Sequence, residues 1–141
     1  MIEPSIWSKL HGASTHFPIA LVLASTLCDG LALLGRNAEA SRSYRFAGTV
    51  MIVLGAIGSY GAVFTGLIMT RGQIWGNDTL LHHHQFVWPA FALITGLATW
   101  RVVSRAEYSR KATLIQLALM LLTSAVVSGA GYWGGELLTG N

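Results

Sequence analysis

Four long windows without a charged residue constrain most strongly what this chain can fold into. The charged residues cluster between these windows, which cover residues 10–28, 46–70, 79–100 and 112–135. Each window is close to or above the roughly 20 residues that a helix needs to cross the hydrocarbon core of a bilayer. Backbone groups in lipid must bond to one another, and none of the windows alternates as a barrel strand does. The pattern therefore predicts four transmembrane helices.

The predicted helices form an all-α bundle, a single integral membrane domain over residues 1–141. Only 11% of the residues are charged, against about 25% in a soluble domain. The first window lacks the positive segment and the cleavage site of a signal peptide, so we expect it to be kept as a helix. The predicted helix bounds are residues 14–35, 46–70, 83–104 and 112–137.

The basic residues are distributed unequally between the two ends of the predicted bundle. Lys9 and Arg71 lie at one end, and the other seven lie in the links between helices 1 and 2 and between helices 3 and 4. Short loops rich in Lys and Arg stay in the cytoplasm. We therefore predict a bacterial inner-membrane protein whose termini and 71–82 loop face the periplasm. The net charge of +3 follows from this orientation and does not indicate nucleic-acid binding. The seven residues are Arg36, Arg42, Arg45, Arg101, Arg105, Arg110 and Lys111.

All the histidines are predicted at the periplasmic end, opposite the arginine-rich links. Ser14 or Thr15 suits the N-cap of the first helix, with Pro18 in its first turn, where a missing N–H has no intrahelical partner. His16 then begins the helix, and His11 precedes it in a segment lying along the membrane interface. The remaining three histidines, at the start of helix 3, point about 100° apart. One or two of those rings should face the bundle and at least one should face water. They are His82, His83 and His84.

Glycines on the second helix allow two interpretations. Gly58, Gly61 and Gly66 lie in the half of the helix that is level with the histidines. Small residues let neighbouring helices approach closely in lipid. Alternatively, these glycines make room for a flat group such as a porphyrin or a quinone ring.

Three further side chains in or near the spans carry an interpretation. Asp29 is the one acid inside a predicted span, and such groups usually have a partner; we expect an ion pair with Arg45 or Arg101 rather than a proton relay. Glu136 is a surface carboxylate or a hydrogen-bond acceptor for a histidine. Cys28, the single cysteine, is expected to pack as a small apolar side chain.

Several segments together resemble a family of small bacterial four-helix membrane proteins, domain of unknown function 2231. They are His11, the run His16-Phe17-Pro18-Ile19-Ala20, Asp29, a histidine before helix 3, and Gly131-Tyr132-Trp133-Gly134-Gly135-Glu136-Leu137. The resemblance covers nearly the whole chain. Gly12 stands where the family often has a proline, and three histidines stand where its pattern has one. Relatives occur near or joined to Rieske-type and c-type cytochrome modules, which implies electron transfer.

A b-type cytochrome is the leading functional expectation. Histidines on two helices at one depth of a four-helix bundle are suited to hold haem b by axial imidazoles. We expect His16 to pair with His83 or His84, with His11 as a further ligand or a contact to a haem propionate. Such a subunit would pass electrons between quinol and a periplasmic c-type cytochrome, Rieske-type protein or dehydrogenase, as part of a homo- or hetero-oligomer.

Two other functions stay open from the sequence. The same four histidines, with Glu136, suit zinc or copper, or the site binds a quinone; a compact metal motif such as HExxH is lacking. Alternatively, the chain is a cofactor-free anchor that recruits a soluble redox enzyme. No nucleophile–base–acid arrangement stands out, so an electron-transferring subunit is expected rather than an enzyme by itself.

Overall fold

The computed structural model describes residues 5–104 and 109–139, with side chains described to residue 137. It contains four helices, each long and apolar enough to cross a membrane. The predicted all-α four-helix membrane fold is therefore confirmed. Arg105 lies outside the described residues. The helices are α1 (Ile6–Leu34), α2 (Ala38–Met69), α3 (Asp78–Val103) and α4 (Arg110–Thr139).

The first helix begins earlier than predicted. The Ser5 side chain caps it by accepting a hydrogen bond from the backbone of Ser8 (3.2 Å). His11 is therefore inside the helix, and Pro18 lies in its interior rather than in its first turn. The predicted N-cap at Ser14 or Thr15 was therefore wrong. The Ser14 hydroxyl does not cap the helix but donates back to the carbonyl of His11 (3.0 Å).

The other helices also extend beyond the uncharged windows. Asn37 caps α2 by accepting from the backbone of Ala40 (2.8 Å), so the charged stretch before residue 46 is helical. Helix α3 begins at Asp78, five residues before the predicted start. Absence of charge marks the part of a helix in hydrocarbon, whereas capping residues mark where the helix ends.

Each helix packs against its neighbours in sequence, and α4 closes the ring against α1, so α1 and α3 are diagonally opposite. One central layer takes a side chain from each helix, and each of the four is no more than 2% exposed. This layer separates the end of the bundle that carries the histidines, the histidine end, from the end that carries most of the arginines. Its members are Val22, Ile52, Ile94 and Met120.

Two helical hairpins of the bundle repeat each other. Adding 72 to the residue number of a buried or half-buried position in α1 gives an equivalent position in α3, as from residue 11 to residue 83. Adding 68 relates α2 to α4 in the same way, as from residue 52 to residue 120. The equivalent helices run in the same direction, as in parallel membrane repeats. The pairs are His11 and His83, Val22 and Ile94, Asp29 and Arg101, Ile52 and Met120, Ala62 and Ala130, and Gly66 and Gly134.

The arginine end contains the predicted ion pair. Arg101 donates to the carboxylate of Asp29, and both side chains are almost fully buried. Arg101 also donates to Ser25 (3.4 Å), whose hydroxyl donates to the carbonyl of Gly48 (2.8 Å). The expectation of an ion pair is confirmed, with Arg101 rather than Arg45 as the direct partner.

Candidate functional site

A cavity of about 270 Å³ lies at the histidine end, above the central layer. Most of its lining is apolar, and Ile94 of the central layer contributes to it. Its volume approaches the roughly 300–1,000 Å³ of small-molecule sites. We call it the histidine cavity because His11, His16, His83 and His84 all line it.

His11 is held against α2. Its Nδ1 lies 3.0 Å from the carbonyl oxygen of Ala62 and 3.3 Å from the hydroxyl of Thr65. A Cβ added at Gly66, one turn further along α2, would lie only 2.9 Å from the Cε1 atom of the ring. The glycine therefore makes the space in which the imidazole lies.

His83 is held against α4 in the same manner. Its Nδ1 lies 2.9 Å from the carbonyl oxygen of Ala130, and a Cβ at Gly134 would lie 3.3 Å from its Cε1. An alanine carbonyl and the glycine four residues later thus form the same ring seat twice, once in each hairpin. The two seats bring the rings of His11 and His83 to a centroid distance of 6.5 Å, with the ring planes 87° apart.

These hydrogen bonds set the tautomer of both rings. A carbonyl oxygen only accepts, so Nδ1 must carry the proton and donate it. In a neutral ring, Nε2 then keeps its lone pair. Among the described residues, no hydrogen bond involves Nε2 of His11 or His83. This is the arrangement found in metal-binding histidines, whose second nitrogen donates to a carbonyl or carboxylate.

His84 is a third buried imidazole at this site. Its ring centroid lies 5.8 Å from that of His83. Its Nδ1 donates to the carbonyl of Trp75 (2.9 Å), and Trp88 donates from Nε1 to the carbonyl of Ile74 (2.8 Å). Helix α3 thus holds the loop between α2 and α3, residues 70–77, through two consecutive carbonyls.

The remaining histidines are exposed. His16 lines the cavity, but its side chain is on the bundle surface. His82 stacks on Trp133 outside the cavity lining, with centroids 4.7 Å apart. The structure thus pairs His11, rather than His16, with His83, and it turns one ring of the histidine run outward, as the helical spacing suggested.

Gly58 and Gly61 do not contribute to the cavity lining. A Cβ at Gly58 would lie 2.7 Å from the ring of Phe17, which fits the helix-packing interpretation, and Gly61 faces open space. Glu136, the other acid considered, is half-buried and also outside the lining. The glycines that make room for rings at this site are Gly66 and Gly134.

The rings of His11 and His83 contact each other edge-on, with centroids 6.5 Å apart. Two imidazoles on opposite sides of one ion, each with a metal–nitrogen distance of about 2 Å, have ring centres about 6 Å apart. In the part of the chain that the structure describes, no three His, Cys, Asp and Glu side chains are grouped to hold one metal ion. The paired seats thus present two imidazoles at about this separation, each with its Nδ1 bonded to a backbone carbonyl.

The ring seats were missed at the sequence level. Backbone carbonyls carry no sequence signal, and the glycines of α4 stand out in the sequence only as part of the segment that resembles the family. One signal was available. Ala62 with Gly66 and Ala130 with Gly134 are small residues at the same i, i+4 spacing, each opposite a histidine at the same depth.

The comparisons with known proteins agree with the fold. Neither the curated proteins nor the solved structures contain a match. One family model, described as predicted membrane protein (DUF2231), matches residues 8–140. The match takes in all four helices and every histidine of the cavity. The chain belongs to this family of multi-pass membrane proteins, DUF2231.

Proposed function

We propose that the protein is a membrane electron-transfer subunit, a b-type cytochrome that holds haem between His11 and His83. The observation that carries this proposal is the repeated ring seat. Each hairpin presents one imidazole at the same depth, with Nδ1 donated to a carbonyl and the ring centroids 6.5 Å apart. Bis-histidine ligation needs two such rings from facing helices.

The chain's own groups have distinct roles in this proposal. The carbonyls of Ala62 and Ala130 orient the two imidazoles and keep Nε2 available as a ligand atom. The apolar lining of the cavity keeps water from the prosthetic group, which tunes its potential. Bound iron would supply reversible one-electron transfer.

The proposed orientation indicates which electron-transfer partners can reach the histidine end. Basic residues at the opposite end favour placing the histidine end at the periplasmic face of a bacterial inner membrane. A periplasmic c-type cytochrome, Rieske-type protein or dehydrogenase would then exchange electrons at this end, and quinol in the bilayer would be the other partner.

The visible spectrum of the purified protein tests this function. The protein is expressed with a haem precursor supplied, purified in mild detergent, and recorded oxidised and then dithionite-reduced. We expect a sharp Soret band and a reduced α-band at about one haem per chain. Substituting His11→Ala or His83→Ala should each remove them. Colourless wild-type protein would refute the cytochrome proposal.

His82→Ala is the matched control for these variants. His82 belongs to the same histidine run, but it is exposed and stacks on Trp133 outside the cavity lining. Its replacement should leave haem content unchanged. If His16→Ala removes haem while His11→Ala does not, the ligand pair is His16 with His83 or His84, as the sequence suggested.

The third imidazole favours a second candidate, a zinc or copper site. His84 lies 5.8 Å from His83 between ring centroids, and with His11 it makes three imidazoles that line one cavity, the ligand type that zinc and copper take. Elemental analysis of the same preparation distinguishes the two. A stoichiometric metal other than iron, lost in His84→Ala, would support the second candidate.

A further inference from the structure

The histidine cavity borders the bilayer along two seams that the internal repeat makes equivalent. One seam lies between α2 and α3, and the other lies between α4 and α1. Because shifts of 72 and 68 residues relate the helices, the side chains at the two seams can be compared position by position. A difference between them marks where the two sides of the cavity have diverged.

Large side chains close the seam between α2 and α3. All of them line the cavity, and all are buried or half-buried. Two of them also hold the 70–77 loop over this side of the bundle. The five side chains are His84, Trp88 and Phe91 from α3 and Val63 and Leu67 from α2.

Three of the five equivalent positions between α1 and α4 are glycine, and the other two are His16 and the half-buried Ile19, which also lines the cavity. Gly131 and Gly135 are exposed at the bundle surface and also line the cavity. A Cβ at Gly12 or Gly135 would have no heavy atom within 4 Å. His16, which replaces Trp88 in the comparison, is exposed beside this gap, and it makes no hydrogen bond among the described residues. The side chains that line the cavity between α1 and α4 are therefore smaller than those between α2 and α3.

We propose that the gap between α1 and α4 is a lateral entrance at which a quinone or quinol from the bilayer binds at the rim of the histidine cavity, outside the space between His11 and His83, with His16 bonding to a ring oxygen. As the route of an electron donor, this assignment rests on the proposed cytochrome function. As a binding site, it stands on the geometry of the gap alone.

The chemistry of the cavity selects this class of ligand. Its walls are largely apolar, so they favour a molecule that is already dissolved in lipid. The polar groups beside the His11–His83 pair are also imidazoles: His16 is exposed at the rim, and His84 is at least nine-tenths buried with no partner at Nε2 among the described residues. An apolar ring that carries oxygens able to donate and accept hydrogen bonds satisfies both features. A phospholipid would instead require a charged partner for its phosphate.

A decyl-substituted benzoquinone is the probe for this site. Purified protein in nanodiscs of zwitterionic lipid is titrated with the probe, and quenching of tryptophan fluorescence is followed because Trp88 lines the cavity. The test variant, Gly131→Val with Gly135→Leu, introduces the residues of the closed seam. The matched control is Gly61→Leu, at an exposed helical position with open space and outside the cavity lining.

We expect saturable quenching in the wild type, a Kd raised at least tenfold in the double variant, and no change in the control. His16→Ala should raise the Kd several-fold and His16→Gln should restore most of the affinity, since the amide keeps hydrogen-bonding groups. Non-saturable quenching in the wild type, or equal affinity in the double variant and the wild type, would overturn the entrance. A bound phospholipid that the probe does not displace would overturn it as well.

The same samples separate this inference from the cytochrome proposal. Their haem content is recorded before the titration. If the protein is colourless but still binds the probe through the gap, the cytochrome proposal is refuted and the proposal of a lateral entrance is supported. If the protein shows a full haem spectrum but no saturable probe binding, the cytochrome proposal is supported and the lateral entrance is refuted.

Discussion

Arg101 of α3 reaches across the bundle interior to form a buried ion pair with Asp29 of α1. The internal repeat makes these two positions equivalent, just as it does His11 and His83. The diagonal helices α1 and α3 are thus linked at both ends, by charges at the arginine end and by imidazoles at the histidine end.

The ion pair yields a first prediction on stability. Replacing Asp29 with alanine leaves the Arg101 guanidinium buried without its counter-charge, which costs about 3–5 kcal/mol in comparable sites. We expect Asp29→Ala to lower the midpoint of thermal unfolding in detergent markedly. The double variant Asp29→Leu with Arg101→Leu should recover much of the loss, because it removes both charges. Equal losses in the single and double variants would contradict this account.

Gly66→Ala tests the ring seat of His11. The added Cβ would lie 2.9 Å from Cε1, so the imidazole must move, and we expect haem content to fall by at least half. Gly134→Ala should have a smaller effect on His83, because its Cβ would lie at 3.3 Å. Alanine favours helix over glycine by about 1 kcal/mol, so lost helix stability cannot explain a deficit. Gly61→Ala, in open space, is the control, and haem absorbance per chain is the measurement.

Trp88→Phe tests how the 70–77 loop is held. The substitution keeps an aromatic ring but removes the donor to the carbonyl of Ile74. A hydrogen bond is worth about 1 kcal/mol net, so amide hydrogen exchange in the loop should become about fivefold faster. Trp7→Phe, at an exposed position on α1, should leave exchange unchanged. If Trp88→Phe leaves amide hydrogen exchange in the loop unchanged, the hydrogen bond from His84 to Trp75 is sufficient by itself to hold the loop.

Cysteine labelling tests the orientation. In a Cys28→Ala background, Gln73→Cys places a thiol at the exposed 70–77 loop and Ser43→Cys places one at the arginine end. We expect a membrane-impermeant thiol reagent to label residue 73 in intact spheroplasts and residue 43 only after permeabilisation, because basic ends stay in the cytoplasm. The reverse pattern would place the histidine end in the cytoplasm and exclude a periplasmic electron partner at that end.

Some features followed directly from the sequence because they depend on composition along the chain. A helix that crosses the bilayer must have about 20 consecutive residues without charge, so the number of helices was predictable from the uncharged windows. A single acid inside a span demands a nearby cation, so the pairing of Asp29 with an arginine was predictable as well.

The pairing of His11 with His83 was not predictable in the same way. It depends on α1 continuing back to Ile6, whereas Pro18 indicated a later start. It also depends on the carbonyls of Ala62 and Ala130, which any residue would supply. The repeat was hidden because its equivalent positions differ in chemistry, as Asp29 and Arg101 do, while only the spacing between them is kept.

The way the 70–77 loop is held has a consequence for recognition. Helix α3 binds the backbone carbonyls of Ile74 and Trp75, and both of these apolar side chains remain exposed. Their identities can therefore change among relatives without releasing the loop. One side chain, His84, both holds the loop and lines the histidine cavity, so a displacement of Trp75 at the surface would be transmitted to an imidazole of the cavity.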